Sequence, residues 1–261
     1  MRTLLSVAAL SFIVASACLA QSPAPAPDRS KLAAYVNHLM DVHIGVERTA
    51  PTGWSITVKP VAVQREENGT VSSQVHIFVT GAPAGTMFEQ QSIAVGEDAP
   101  KAEMGGISVG KDGILMCAGR TSEQCGDSKN PDDPIEFTTM SSLKGEPYRF
   151  LFVSDAGTVG TVFVMNPVGN RNKGCTLSAV RLTPAFEVAL ITGVGFAPNT
   201  EVHYTATPGS DGEKTMHSDA LGVVRFSLMP YAKPGQKSGT ITVKINEKQC
   251  SPEVSYDWGK A

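Results

Sequence analysis

Ser108 sits in the one stretch of the chain that spells a nucleophile motif: Gly106-Ile107-Ser108-Val109-Gly110 reads G-x-S-x-G. That pattern makes a nucleophile only on a sharp strand-to-helix turn, which exposes the hydroxyl and aims backbone donors at an oxyanion. Here Lys111-Asp112-Gly113 turns at once into another apolar run, Ile114–Cys117, so a hairpin is expected where the motif needs a helix. A secreted hydrolase or carbohydrate-active protein, with Ser108 or an acidic pair at work, is therefore the alternative reading. No residue is assigned a catalytic role.

The five histidines are His38, His43, His76, His203 and His217, and none falls in an H-x-H or H-E-x-x-H spacing. His38 and His43 would stand about 140° apart around a helix, too far to share an ion. His203 alternates outward on its strand. No metal ligand set is assigned. The acidic stretch Asp127-Ser128-Lys129-Asn130-Pro131-Asp132-Asp133-Pro134-Ile135-Glu136 offers the oxygens that Ca²⁺ prefers, through Asp127, Asp132, Asp133 and Glu136. It lacks the glycine and distal glutamate of an EF-hand loop, and its prolines and Lys129 oppose a wrapped cage. The plainer expectation is a solvated loop that serves as a contact surface. Trp54 and Trp258 could stack on a sugar, but sandwich cores use tryptophan routinely. Asn68-Gly69-Thr70 is a glycosylation sequon if the source is eukaryotic.

Five cysteines occur, of which Cys18 lies in the N-terminal leader. The other four, Cys117, Cys125, Cys175 and Cys250, admit three pairings. Proximity favours Cys117–Cys125 across one loop and Cys175–Cys250 around one apparent domain. Loop entropy makes the short ring worth about 2–3 kcal/mol and the long one about 4–5 kcal/mol. Zinc is the competing use of four thiols, and no C-x-x-C or nearby histidine supports it.

The elements that must position these residues are mostly strands. One helix is legible, capped by Asp28 or Ser30, with Leu32, Tyr35, Val36, Leu39 and Met40 on one face and an end near Gly45. After it, apolar and polar residues alternate. Val224, Phe226 and Leu228 straddle Arg225 and Ser227, and Ile241, Val243 and Ile245 straddle Thr242 and Lys244. Period two with one apolar face means antiparallel sheets packed on one side. About seven strands are expected between Cys175 and Trp258, as in a β-sandwich. Turn motifs repeat in order: Thr80-Gly81-Ala82-Pro83 parallels Thr192-Gly193…Ala197-Pro198. Lys111-Asp112-Gly113 likewise parallels Ala220-Leu221-Gly222, and Lys144-Gly145 parallels Lys233-Pro234-Gly235. Two related sandwiches in tandem explain that order better than one barrel.

Residues 1–20 carry Arg2, an apolar run from Leu4 and a small-residue close, the layout of a secretory signal. Cleavage after Ala20 would leave Gln21 first. Cleavage after Ala17 would expose Cys18 in Val14-Ala15-Ser16-Ala17-Cys18, which resembles a bacterial lipobox apart from Ala15 and would carry a lipid anchor. No other apolar stretch is long enough for a transmembrane segment. A Pro/Ala spacer, Gln21–Pro27, follows. The balance of 22 Lys plus Arg against 25 Asp plus Glu lacks the basic footprint of a nucleic-acid binder.

Ile191-Thr192-Gly193-Val194-Gly195-Phe196, the alternating strands after it and the closing Thr240-Ile241-Thr242-Val243 resemble the bacterial immunoglobulin-like modules, TIG/IPT domains among them, over residues 176–245. The resemblance implies a seven-stranded sandwich of the kind used in surface and envelope proteins, and it carries no catalytic residues. In such a topology Cys175–Cys250 would join neighbouring first and last strands. The expected fold is all-β: two tandem immunoglobulin-like sandwiches at 49–168 and 174–258. A signal peptide at 1–20 and a spacer with a short helix at 21–48 precede them, and the polar run 166–174 lies between the sandwiches. The expected role is an exported, non-enzymatic binding, adhesion or assembly module, secreted, periplasmic or at the cell surface. Its partner would be a protein or glycan ligand, with no nucleic acid and no cofactor other than the Ca²⁺ weighed above.

Overall fold

The computed structural model describes residues 29–45, 50–118, 133–208, 212–230 and 232–259. Among these residues the fold is all-β with one helix, α1 (Arg29–His43). Strands β1 (Ser55–Arg65), β2 (Val71–Thr80), β3 (Met87–Ile93), β4 (Lys101–Val109), β5 (Leu115–Cys117), β6 (Phe137–Ser141), β7 (Pro147–Ser154) and β8 (Gly157–Val164) form the first half. Strands β9 (Val168–Asn172), β10 (Cys175–Arg181), β11 (Ala189–Val194), β12 (Glu201–Thr207), β13 (Lys214–His217), β14 (Val224–Leu228), β15 (Gly239–Ile245) and β16 (Glu253–Trp258) form the second.

Alternation makes the sheets one-sided. Along β2, Val71, Ser73, Val75, Ile77 and Val79 are buried while the residues between them are wetter. Along β15, Ile241, Val243 and Ile245 face inward. The first half stacks sheet β1-β2-β6 on sheet β5-β4-β3-β7-β8. The second stacks β14-β11-β10-β9 on β13-β12-β15-β16. Each half has its own core. In the first it is rich in phenylalanine, with Phe88, Phe137, Phe150 and Phe152 beside Ile77 and Ile107. In the second it is chiefly aliphatic, with Leu177, Ile191, Ile241, Val243 and Ile245 around Phe186, Tyr256 and Trp258.

Seven strands of one half match seven of the other, and β5 and β9 have no counterpart. Pairing β1-β2-β6 corresponds to β10-β11-β14, and β4-β3-β7-β8 to β13-β12-β15-β16. Turn bonds match as well. Gly110 N donates to Ile114 O (2.8 Å), Gly113 N to Gly110 O (3.0 Å) and Val79 N to Gly113 O (2.7 Å). In the second half Asp219 N donates to Val223 O (2.8 Å), Gly222 N to Asp219 O (3.0 Å) and Phe196 N to Gly222 O (3.2 Å). Both turns need glycine: φ is +79° at Gly113 and +70° at Gly222, and a Cβ on Gly222 would stand 2.1 Å from Phe196 O. Gly222→Ala therefore combines left-handed strain with a backbone clash. It should lower the stability of the second half by about 2 kcal/mol or more. Gly113→Ala, whose added Cβ would lie 2.9 Å from Val79 O, should cost less. Paired urea melts check the order.

Two expectations change. Residues 168–172 are not a linker but strand β9, paired with β10 from Val168↔Ala179 to Asn172↔Cys175. Polar Gly169-Asn170-Arg171-Asn172 can form a strand because an edge strand is held by backbone bonds and keeps its outer face wet. The bridge Cys175–Cys250 is present, with Cα atoms 6.0 Å apart. It does not join hydrogen-bonded neighbours: Cys175 opens β10 in one sheet and Cys250 precedes β16 in the other, so it ties the two layers across the core. Cys117 is also disulfide-bonded; its expected partner Cys125 lies outside the described residues. Among those residues no helix is long and apolar enough to cross a membrane.

Candidate functional site

The halves meet along β10. The backbone N–H of Arg181, its last residue, donates to Gly145 O (2.7 Å) in the β6–β7 connection, and Gly145 N donates to Asn166 O (2.7 Å). Arg181 Nε donates to Lys144 O (3.2 Å), and its Nη1 donates to Pro184 O. One side chain thus fastens the first half to the turn that follows β10. That turn closes with Phe186 N donating to Thr183 O (2.9 Å).

Phe186 holds φ +61°, a conformation that costs a bulky residue about 1–3 kcal/mol and persists only where the surroundings impose it. The imposition is visible. The Arg181 guanidinium lies 4.6 Å from the Phe186 ring centroid, and the Tyr256 ring stands 4.2 Å away on an interplanar angle of 54°. These rings floor a cleft of about 390 Å³ between the halves. Ser142, Leu143 and Lys144 line it from the first half, and Thr240, Ser255 and Asp257 from the second. Thr240 Oγ1 donates to Asp257 Oδ1 at 2.5 Å.

Burial pulls the Arg181 pKa down while Glu146 and Glu187 push it back up, so the buried cation has carboxylates to offset it. Burial also drives the Tyr256 phenol far above its ordinary pKa, leaving it a neutral donor. Its Oη is buried with no hydrogen-bond partner among the described residues. The cleft is amphipathic, with two aromatic rings, charges of both signs and several hydroxyls in its lining.

The residues singled out in the sequence lie elsewhere. Ser108 is inside β4, opposite Met87 on β3 and Met116 on β5. Its motif glycines have other duties. Gly106, at φ +69°, sits where the β3–β4 register shifts, and Gly110 N closes the β4–β5 turn. A flat strand does not present the serine as a nucleophile elbow does. Asp133 and Glu136 are exposed on either side of buried Ile135, with Glu136 Oε1 3.8 Å from His76 Nε2. Asp127, Asp132 and Cys18 lie outside the described residues. No group of three His, Cys, Asp or Glu converges among those that are described.

Trp54 packs edge-on to Phe88 at 6.0 Å and Trp258 is in the second core, so both tryptophans serve packing. His203 is paired: its Nδ1 lies 3.0 Å from Glu247 Oε1, which raises its pKa. Tyr35, expected on the apolar helix face, is exposed.

Sequence reasoning missed the cleft and the seat of the helix. A signal for the second existed in Val188-Ala189-Leu190-Ile191 and Phe150-Leu151-Phe152-Val153. These runs do not alternate, as befits strands covered on both faces. A scan against protein-family models returns no match, and a search of the curated proteins returns none either.

Proposed function

We propose that the chain is an exported, non-enzymatic module that binds a protein or glycan partner in the cell envelope or extracellular space. In this reading it is built from two immunoglobulin-like sandwiches of the TIG/IPT kind. The observation that carries it is the joint: two halves of one strand order, stiffened by disulfide-bonded cysteines, meet at an amphipathic cleft rather than across a free linker. The first half stacks three strands on five and the second four on four, and the seven strands that match between them divide three and four, the count of an immunoglobulin-like sandwich. Disulfides persist in oxidising compartments, which agrees with the leader pattern of residues 1–20. The cleft is where the partner makes contact, its aromatic floor and rim hydroxyls suiting an amphipathic surface.

Native mass spectrometry of the protein recovered from its own compartment tests this. The expected mass begins at Gln21, or at a lipidated Cys18, and alkylation adds nothing before reduction. A bound mass carried by the wild type and lost in Ser255→Trp, which fills the cleft, would support the contact. A chain retaining residues 1–20 with free thiols overturns the export reading.

A further inference from the structure

Helix α1 is gripped by both halves. Val36, Leu39, Met40 and Ile44 pack on Val180, Leu182, Val188 and Leu190, the face of β10 and β11 turned away from the second core. The helix carboxyl end is held from the first half, where Arg149 Nη1, on β7, donates to Asp41 O (2.9 Å) and Val42 O (2.7 Å). The last helical residue, His43, is 2% exposed, and its Nδ1 has no hydrogen-bond partner among the described residues. We propose that His43 makes α1 a proton-sensitive latch across the joint, seated while the imidazole is neutral and released when it takes up a proton.

The physics of the seat supports this. An imidazolium donates from both ring nitrogens, so protonation would leave an N–H at Nδ1 buried with no acceptor among the described groups. A helix carboxyl end ordinarily welcomes a cation, but Arg149 already occupies the carbonyls of Asp41 and Val42. The charged groups around His43 are divided. Arg149 from β7 and His38 from α1 itself oppose a second cation. Asp98 and Glu97, from the β3–β4 connection, favour one. Beneath the helix, β10, β11 and the turn between them present the apolar Val180, Leu182, Val188 and Leu190. Burial outweighs the carboxylates and holds the pKa below the ordinary value.

The sign follows. A released helix binds the proton more readily than a seated one, so the latch weakens as pH falls below about 6.5, where an ordinary imidazole titrates. The loss is up to about tenfold per pH unit, until the lowered folded-state value is reached. Val180 and Leu182, which flank the cleft residue Arg181, are among those the helix covers. The latch stands whatever the cleft binds.

Amide hydrogen exchange on the full chain at pH 7.5 and 5.5, corrected for intrinsic exchange, tests it. The wild type should lose up to about tenfold in protection over residues 36–44 at the lower pH, while β2 and β15 stay protected. His43→Phe should keep that protection at both pH values. An unchanged wild-type helix overturns the proposal, and so does the same pH dependence in His43→Phe, which would place its origin outside the His43 ring. Should His43→Phe fail to fold, NMR titration of the His43 ring in the wild type decides. A midpoint below that of an ordinary imidazole supports the latch, and one at or above it overturns the latch.

Discussion

Replacing both Cys175 and Cys250 by alanine is expected to unfold the second half at a urea concentration where the first half remains folded. The bridge closes a span of 75 residues, and releasing a loop of that size costs about 4–5 kcal/mol through the entropy regained by the unfolded chain. That is a large part of the 5–15 kcal/mol that typically holds a domain. Alanine is preferred to serine because both sulfurs are buried, and serine would leave hydroxyls to be satisfied among Leu177, Val254 and their neighbours. The chain carries its own reporters: of its two tryptophans, Trp54 packs at the first core and Trp258 lies in the second. With a urea slope of about 1–3 kcal/mol per molar, the transition seen by Trp258 in a Trp54→Phe background should move down by about 2 M. The transition seen by Trp54 in Trp258→Phe should hold its place. A Trp258 transition unmoved by loss of the bridge would show that the covalent tie adds nothing the packed layers lack. Equal movement of both would show that the joint couples the halves into one cooperative unit.

What the sequence disclosed and what it hid divide along the range of the interactions. The strands from Cys175 to Trp258 are legible because each alternates on its own: Val224, Phe226 and Leu228 face one way whatever β11 does. The turns are legible because Gly113 and Gly222 need a left-handed backbone that few other residues tolerate. The hairpin reading of Ser108 rests on the same local grammar. Strand β9 escaped because its identity lies in a backbone ladder with β10, not in its polar side chains. The cleft escaped because Lys144, Arg181 and Tyr256 are far apart along the chain and meet only when two separately patterned halves dock. Helix α1 could be drawn from its spacing, yet nothing local says that its carboxyl end is held by Arg149, more than 100 residues on. The runs Val188-Ala189-Leu190-Ile191 and Phe150-Leu151-Phe152-Val153 were the local traces of that docking, since a strand wet on one face has no reason to be apolar on both.

Phe152→Ala should have the opposite selectivity to loss of the bridge, destabilising the first half by about 3–5 kcal/mol and leaving the second near its wild-type midpoint. Phe152 is fully buried on β7 and meets Phe88 at 6.2 Å and Phe137 at 5.7 Å, both edge-on. Truncation removes the apolar transfer energy, opens a cavity and breaks two ring pairs worth about 0.5–1.5 kcal/mol each beyond their area. Phe152→Leu separates these contributions: it keeps most of the volume and loses the ring pairs, so it should cost well under half as much. In the second half the position matching Phe152 is Ile245, since Gln90↔Phe152 on β3 and β7 corresponds to Tyr204↔Ile245 on β12 and β15. Ile245→Ala should cost about 2–5 kcal/mol and act on the Trp258 transition alone. Urea melts of the three variants in both single-tryptophan backgrounds check the pattern. If Phe152→Ala lowers the Trp258 transition as far as the Trp54 one, the two cores do not stand separately. The grip of α1 and Arg181 on both halves would then be strong enough to make them unfold together.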